Sequence, residues 1–465
     1  MVTIGENIGN IGLPSDAVVI ELVNLFFEHW YHAFPCFHKT TFLQQVQSRS
    51  VHFEAPSLLY AMCAIAAINH PEQSVRDQHM NWHEMAKFEY EMTGKDPQPA
   101  IRIVQTALLI LRHASSIGDY SSGWLFIGKA WRQACALGLN RVDSDDEAFY
   151  GISYPRPKRP VEKEEYRRTL WLLFMTDRSL SWPTGWPQSI DDRQFKVNVP
   201  VADNVFQVMT LETETANSRT IPFVRNLNSL LATSSLATSP LNMFHYVIIA
   251  HVLLGRVTEQ IHSLHDTPDS PNYAQECNDL SAHLVKFRLS LPRATTSVLE
   301  ALPENRGYVL WLNVTINTMA ILLHYRCAKL VDEAEAHQQF MRAVAAARNA
   351  AQMVKDTSLI STDLLLSAHL GSSLYISACV LVIQWKLCGD ESLKADIDLF
   401  CLVFERFREK YAKLGHKFKS ALDYDLKRST ESISDLRERG FRGLLADCSK
   451  WRAVMGTRSE QDLGY

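Results

Sequence analysis

The sequence predicts an all-α protein, a large domain of many packed helices. Apolar side chains recur at helical spacings through most of the 465 residues, as in Val19, Leu22, Val23 and Phe26. Alternation of β-branched residues is scarce, and the chain shows no convincing strand pair or sequence repeat. Hydrophobic residues make up 46% of the chain and charged residues 21%, a composition that supports a large buried core.

The N-terminal part, residues 15–205, is predicted to be a run of helices that follows a disordered N-terminus, residues 1–14. Ser15 or Asp16 is expected to cap the first helix. Gly138 is expected to end a helix before an acidic, then Pro-rich surface loop over residues 142–161. Apolar periodicity predicts helices over residues 15–30, 58–68, 81–90, 101–114 and 118–140. The basic residues of the loop are interpreted as solvated rather than as a nuclear import patch: Arg156, Lys158 and Arg159.

Residues 162–200 predict a charged, then apolar helix, a loop built on Pro183, Gly185 and Pro187, and a short extended run. Helical spacing places several polar and apolar side chains on one stripe: Arg167, Leu170, Trp171, Phe174, Asp177, Arg178 and Ser181. A buried aspartate is costly unless a cation or several donors meet it, so Asp177 needs a fixed partner. Candidate cations are Arg132, Arg141 and Arg178, and we interpret the arrangement as a structural lock.

The chain becomes polar after Pro200, and residues 206–240 are predicted to be a Ser/Thr-rich linker. A C-terminal helical part over residues 241–430 and a C-terminal helix and tail over residues 431–465 follow. Helices are predicted over Met243–His262, Tyr273–Leu291, Tyr308–Asp332, Ala334–Thr357, from Leu364 onward, and over Leu393–Gly415.

Residues 364–385 form the one stretch long enough to be weighed as a membrane span, because they contain no charged side chain. The stretch carries Ser, His and Gln side chains that would each need a hydrogen-bonding partner in lipid. A buried core helix is therefore predicted there.

The charge balance, 47 basic against 51 acidic residues with a net charge of −4, gives the chain no general attraction to nucleic acid. The nine cysteines are scattered, and no CxxC pair occurs. This usage indicates reduced thiols, mostly small core residues.

Motifs for common chemistries are missing or incomplete, so no catalytic residue, cofactor or metal site is predicted. The sequence has no phosphate-binding loop and no GxSxG nucleophile elbow. The pair His83-Glu84 begins a zinc-protease motif, but Lys87 replaces the second histidine. The acidic run is interpreted as solvated rather than as a magnesium site: Asp143, Asp145, Asp146 and Glu147.

Three blocks of residues occur in an order that resembles a known family. The opening block contains Phe27, Phe34, Pro35, His38 and Phe42, and the second contains Gly128, Ala130, Arg132, Ala134, Leu137, Gly138, Leu139 and Arg141. The third contains Glu165, Arg167, Arg168, Trp171, Phe174, Asp177, Arg178, Leu180, Ser181, Gly185, Pro187, Ile190, Asp192, Val197 and Pro200. Together they resemble the fungal-specific transcription factor regulatory domain, the middle homology region of fungal zinc-cluster regulators. Trp186 and Asn140 depart from the family's usual Arg and His.

The resemblance implies an all-helical scaffold that receives a signal and modulates transcription in the nucleus. The family's zinc cluster needs six closely spaced cysteines, and only 35 residues precede Cys36, so the sequence is interpreted as a regulatory domain without that cluster. The expected partners are a DNA-binding transcription factor or co-regulator, a small-molecule effector, and a second copy or related chain in a dimer. Genes for specialised metabolism are the expected targets. Trp182 and Trp186, which flank the Pro-Gly loop, are expected to be partly exposed and to contact a partner or effector.

Two alternatives remain open at the level of sequence. One is an enzyme or small-molecule binder on the same helical scaffold, which would show polar side chains converging in an apolar pocket. The other is a zinc cluster encoded upstream of these residues.

Overall fold

A computed structural model of the chain describes residues 12–92, 100–144, 157, 159–210, 220–236, 241–270, 272–328 and 332–462, without the side chains of 100, 120, 234–236 and 447–462. Within these ranges the regular structure is helical, apart from an isolated antiparallel bridge between Val199 and Ile221. The all-α prediction is confirmed. Predictions made for residues 1–11 and for Asp145, Asp146, Glu147, Arg156 and Lys158 lie outside the described residues.

The chain forms two compact units. Unit 1 comprises Met1–Asp177 and Ser189–Arg225, and unit 2 comprises Arg178–Gln188 and Asn226–Tyr465. The boundary after Arg225 falls inside the segment predicted to be a linker. Part of that segment, Leu227–Leu236, is helical, because Leu230 and Leu231 find buried positions in unit 2. The predicted domain limits themselves stay predictions.

The described residues of unit 1 contain ten α-helices, the ninth of which ends beyond the unit. Pro56 occupies the first turn of α4, where its missing N–H costs nothing, and that helix is buried almost throughout. The helix α8 ends just before Gly138, which has φ +70°, so the predicted helix stop is confirmed. The segments are α1 (Asp16–His29), α2 (Lys39–Gln47), α3 (Ser50–Glu54), α4 (Pro56–Ala67), α5 (Gln73–Arg76), α6 (His79–Met92), α7 (Ala100–Ser116), α8 (Tyr120–Ala136), α9 (Pro160–Ser181) and α10 (Asp203–Gln207).

Unit 2 contains longer helices with apolar faces packed on one another. They are α11 (Leu227–Leu236), α12 (Met243–His262), α13 (Tyr273–Ser290), α14 (Arg306–His324), α15 (Glu333–Ser358), α16 (Gly371–Cys388), α17 (Glu391–Lys410), α18 (Ala412–Lys427) and α19 (Thr430–Asp462, kinked at Gly440). Asn242 and Asp332 cap the first turns of α12 and α15 with their side-chain oxygens, so the polar residue that precedes each helix fixes its start.

Three predicted boundaries in unit 2 were wrong. The helix α14 ends at His324 rather than Asp332, and α16 begins at Gly371 rather than Leu364. The predicted helix Leu393–Gly415 breaks at Tyr411, which has φ −134° and ψ 76°. Tertiary packing decides the ends at His324 and Tyr411, since neither Gly nor Pro marks them in the sequence.

Two stretches, Pro303–His324 and Gly371–Cys388, have the length and composition of a membrane span, but 72% and 61% of their apolar windows are buried inside the protein. Burial at this level is typical of core helices. The predicted apolar helix is found over Gly371–Cys388 with most of its window buried, and the exclusion of a membrane span stays a prediction.

Candidate functional site

The helix α9 carries the stripe that the sequence predicted, and this stripe is inside the protein. Trp171 and Asp177 are 0% exposed, and Arg168 is 1% exposed. Arg167 and Arg178 are also buried. Charged groups at this depth require partners, and the surrounding residues of each unit supply them.

Arg168 binds two carboxylates and two backbone carbonyls of unit 1. Its Nε donates to Glu164 Oε1 (3.1 Å), and Nη1 donates to the carbonyl of Pro35 (2.8 Å) and to Asp203 Oδ1 (2.9 Å). Its Nη2 donates to the carbonyl of Val201 (2.8 Å). The guanidinium fork therefore ties α9 to the segment before α2 and to the segment that leads into α10.

Arg167 makes a bidentate pair with Asp143. The Nε–Oδ2 and Nη2–Oδ1 distances are 2.9 and 2.6 Å, and the Asn198 N–H donates to the same carboxylate at 2.8 Å. Burial opposes ionisation of this carboxyl, but Arg167, together with the Asn198 N–H and Lys163, outweighs it, and the pKa of Asp143 lies below its usual range. Asp143 was predicted to lie in a solvated loop, and that interpretation was wrong, because its side chain is 2% exposed.

Glu164 lies between both arginines. Its Oε2 is 3.4 Å from Arg167 Nη1, and its Oε1 accepts from Arg168 and from the Val201 N–H (2.8 Å). Burial raises the pKa of Glu164, an effect that the two guanidinium groups oppose. The sequence analysis missed this residue, although its spacing of three and four from the arginines is the signal for such pairs.

Glu165 points to a different neighbour. Its Oε1 accepts the backbone N–H of His38 (3.0 Å), and its Oε2 is 3.7 Å from Arg102 Nη2. Arg102 also donates to Gln105 and Gln45 (2.7 and 2.9 Å). His38 was interpreted as a core histidine, and it is buried at 4% exposure. Glu165 thus anchors the start of α2 to α9 within unit 1.

Trp171 fills the apolar centre beneath these charges. Its Nε1 donates to the carbonyl of Asn198 (2.9 Å), and its ring lies edge-on to Phe174, Phe195 and Phe223 at centroid distances of 5.2, 4.7 and 5.1 Å. A buried tryptophan requires a partner for its N–H, and the extended run before Pro200 provides it.

Asp177 accepts the N–H groups of Ser189 (3.0 Å) and Ile190 (3.2 Å). The prediction that this buried carboxylate has fixed partners is confirmed, and the donors described here are backbone groups. One of the three candidate cations, Arg132, is exposed. A Cβ added to Gly128 would stand 3.3 Å from Arg132 Nη1 and 3.5 Å from Ser189 Oγ. Arg132 therefore lies near the loop that Asp177 holds.

Residues 178–188, which comprise the last turn of α9 and the Pro-Gly loop, belong to unit 2. Gly185 has φ +70°, a conformation that favours glycine, and a Cβ there would stand 3.3 Å from Leu445 and 3.4 Å from His262. Arg178 packs on Gly255, where an added Cβ would come within 2.7 Å of its Nε. Pro187 is exposed at the surface of the loop.

The two tryptophans of this loop differ in exposure. Trp182 is only 5% exposed, its carbonyl accepts from His262 Nε2 (2.9 Å), and its ring centroid is 6.4 Å from that of Phe441. The expectation of partial exposure was wrong for Trp182, since α12 and α19 cover it. Trp186 is half-buried, and its N–H donates to Thr184 Oγ1 (3.3 Å).

A small cavity in unit 2 adjoins Trp182. Its volume is about 10 Å³, room for about one water molecule. Hydroxyl and aromatic groups dominate the wall, including Ser179, Trp182, Trp311, Thr315, His369 and Ser373. A ligand larger than water would require one of these side chains to move.

Other residues considered for chemistry occupy structural positions. His83 is buried and stacks on His113 with a centroid distance of 4.1 Å, and burial lowers the pKa of His83 to about 3. Burial also raises the pKa of the Cys36 and Cys63 thiols to about 12, so they stay protonated. Among the described residues, no group of three or more His, Cys, Asp or Glu side chains is placed to hold a metal ion.

The buried network lies inside a region that matches a family model. A model of the fungal specific transcription factor domain matches residues 23–287, more than half of the chain. The chain belongs to this family. The match includes Arg132, Gly138 and the α9 residues from Glu165 to Arg178 that were predicted to form its signature.

Several fungal transcriptional activators are similar to this chain at low identity. A citrinin biosynthesis transcriptional activator of Monascus ruber is 24% identical over 209 residues, 44% of this chain and 40% of the relative. A pigment biosynthesis transcriptional activator of the same species is 23% identical over 185 residues, 39% of this chain and 33% of the relative. A depudecin biosynthesis cluster-specific transcription activator of Fusarium langsethiae is 26% identical over 188 residues, 38% and 30% of the two chains. The chain thus matches less than half the length of these relatives.

Proposed function

We propose that this chain is a nuclear transcriptional regulator of specialised-metabolite genes that acts through a DNA-binding partner. The observation that carries the proposal is the family match over residues 23–287, which includes the buried α9 network. The names of the relatives support the target class, because three of them are activators of biosynthetic genes. The proposed role for this chain is that of the regulatory component.

The charge and cysteine content support the involvement of a partner. The 465 residues carry a net charge of −4 and no CxxC pair, so they supply neither a general basic surface nor closely spaced zinc ligands. DNA contact would come from another polypeptide or from sequence beyond these residues. A zinc-cluster factor with the same domain, or a co-regulator, fits this requirement.

In the proposed mechanism, the buried α9 network supports the fold and the accessible Pro-Gly loop contacts the partner. The α9 network neutralises its charges internally and holds the scaffold of unit 1. The half-buried Trp186 and the exposed Pro187 present the Pro-Gly loop to a partner. A small effector would enter unit 2 beside Trp182 only by enlarging the cavity of about 10 Å³.

Transcription from a reporter tests the proposal directly. Residues 1–465 are fused to an unrelated DNA-binding domain in a fungal host, and a reproducible rise or fall in reporter transcription is expected. Fusions matched for expression and nuclear location, one with the chain and one without it, provide the comparison. A well-folded nuclear fusion that leaves transcription unchanged would contradict the proposed function.

DNA binding by the purified chain tests the requirement for a partner. The expected result is weak, salt-sensitive binding without sequence preference. Tight, sequence-specific binding that persists at physiological salt would overturn the requirement while leaving a role in transcription intact.

A further inference from the structure

The helix α13 carries an apolar stripe on its outer face. Val285 is 54% exposed and Leu289 is 83% exposed, and Ala282 on the same face is also exposed. The inner face of α13 is a separate stripe that packs into unit 2 and contains Tyr273, Cys277, Leu284 and Phe287. Large aliphatic side chains in a row on the outside of a helix that is already packed indicate a contact surface.

The spacing of the outer stripe is that of a coiled-coil seam. Asn278, Ala282, Val285 and Leu289 follow one another at intervals of four, three and four, which is the alternation of d and a positions in a heptad repeat. Side chains at these spacings line up along one edge of the helix, where a second helix can pack between them. Asn278 ends the seam with a polar side chain, whose Oδ1 accepts from Arg326 Nη2 of the same chain (2.9 Å).

Two opposite charges flank this seam at equivalent heptad positions. Asp279 and Lys286 are seven residues apart and both take the e position. Both are exposed, and the Asp279 carboxylate accepts only a local bond from Gln275 Nε2 (2.8 Å) among those described. In an antiparallel pair of helices, e positions face e positions of the partner helix, so a second α13 would place Lys286 opposite Asp279 twice.

The seam and the charges require the same register. In an antiparallel pairing, residue numbers rise along one helix as they fall along the other, so the numbers of paired seam residues have a constant sum. A two-fold pairing that sets Ala282 against Val285 of the second copy therefore also sets Asn278 against Leu289. The same alignment brings Asp279 and Lys286 together across the axis. A parallel pairing would leave both charges facing uncharged positions, so charge complementarity selects the antiparallel arrangement.

We propose that two copies of this chain associate through α13, paired antiparallel along Asn278, Ala282, Val285 and Leu289. The stripe covers roughly 17 Å of helix, so the contact is small and the dimer is expected to dissociate in the micromolar range. The inference goes beyond the proposed function and can fail without it, since assembly is measured on the purified chain and transcription on a reporter.

Sedimentation velocity of the full chain over roughly 1–100 µM tests the pairing, a range chosen to bracket a micromolar dissociation constant. A concentration-dependent dimer is expected, and Leu289→Asp should raise its dissociation constant about tenfold or more by placing a charge in the seam. The matched control is Leu359→Asp, since Leu359 is 78% exposed after the end of α15 and lies outside the stripe. A monomer at every concentration, or a dimer that both variants weaken equally, would overturn the proposal.

Exchange of the two charges tests the antiparallel register. Asp279→Lys and Lys286→Asp should each raise the dissociation constant roughly two- to tenfold at low salt, because each makes two like-charge pairs. The double variant restores opposite charges at both pairs and should return the dissociation constant close to that of the parent. Circular dichroism checks that each variant is folded. Failure of the double variant to recover would exclude this register.

Discussion

Arg168 shows how a single side chain can hold several segments of unit 1. Arg168 is 1% exposed, and its guanidinium group donates hydrogen bonds to Glu164, to Asp203 and to the carbonyls of Pro35 and Val201. A lysine would carry the same charge on a shorter head group and could not reach these acceptors together. The role of the residue therefore depends on the shape of its fork as well as on its charge.

We expect Arg168→Lys to lower the free energy of unfolding by about 2–4 kcal/mol, because buried acceptors lose their donors. Urea denaturation measures this loss. Arg193→Lys is the matched control, since Arg193 has a side chain that is 69% exposed and should change stability little. Equal stability of the two variants would remove Arg168 from the structural network.

Asp177 is expected to act through its two backbone partners. Asp177→Ala leaves the N–H groups of Ser189 and Ile190 without their described acceptor and should cost about 2–3 kcal/mol, whereas Asp177→Asn keeps one oxygen and should cost about half of that. Thermal and urea unfolding check the order. Glu28→Ala, at an acidic side chain 71% exposed, should leave the melting temperature close to that of the parent. An unchanged melting temperature for Asp177→Ala would contradict the structural lock.

Two helical glycines, Gly415 in unit 2 and Gly123 in unit 1, are expected to change stability in opposite directions when replaced by alanine. A Cβ on Gly415 would stand 2.3 Å from Arg408 N and 2.6 Å from Phe407 C, so α18 can approach α17 only because the side chain is missing. A Cβ on Gly123 in α8 would find its nearest neighbour, Leu111, at an ordinary 3.7 Å.

Gly415→Ala should therefore destabilise the protein by up to about 3 kcal/mol, through overpacking between two backbones. Gly123→Ala should stabilise it by about 1 kcal/mol, the difference in helix propensity. Unfolding in urea compares the two variants with the parent. A gain of stability in both variants would show that α17 and α18 separate without cost.

The helices were predictable where apolar periodicity continues to a polar cap. The predicted span Met243–His262 is the observed α12, because the stripe is regular and Asn242 caps its start. The break at Tyr411 was not predictable, since both sides carry helical periodicity and Gly415 shows its role only against the neighbouring backbone. Local pattern fixes the presence of a helix, and contacts distant in sequence fix its ends.

The candidate site was predictable to a similar degree. The spacing along α9 placed Trp171 and Asp177 inside, and both are buried. The roles of Asp143 and Asn198 could not be obtained in this way, because these residues lie in segments whose path to Arg167 depends on the tertiary fold. Trp182 was misjudged for the same reason, since Phe441 comes from a distant part of the chain.

The whole molecule buries several histidines in their neutral form. Burial lowers the pKa from the usual 6.5 to about 2 for His113, about 3 for His83 and about 4 for each of His245, His251 and His324. An unfolded chain takes up protons near pH 6.5, while the folded chain does not. Their contribution to stability is therefore complete above pH 6.5 and is lost as the pH falls toward 4.

We expect the free energy of unfolding to fall by about 1.4 kcal/mol per pH unit for each such histidine below pH 6.5. Urea denaturation between about pH 7.5 and 5 measures the slope, a window that spans the ordinary histidine pKa. His245→Leu should reduce the slope by the contribution of one histidine, about 1.4 kcal/mol per pH unit. The ring of His245 is buried with neither nitrogen hydrogen-bonded in the described part of the chain, so its replacement by an apolar side chain removes no described hydrogen bond. A flat profile for the parent would contradict the expectation.

The division of the chain into two units has a consequence for its synthesis. Unit 1 is interrupted by residues 178–188, which belong to unit 2, so a ribosome must release the chain through Arg225 before unit 1 can be completed. By then Trp182 has emerged, although Phe441, whose ring covers it in the folded chain, has not been translated. A nascent chain that stalls or terminates between these points would display an uncovered tryptophan loop to chaperones and proteases. Cellular quality control would thereby distinguish such truncated products from chains that extend through α19.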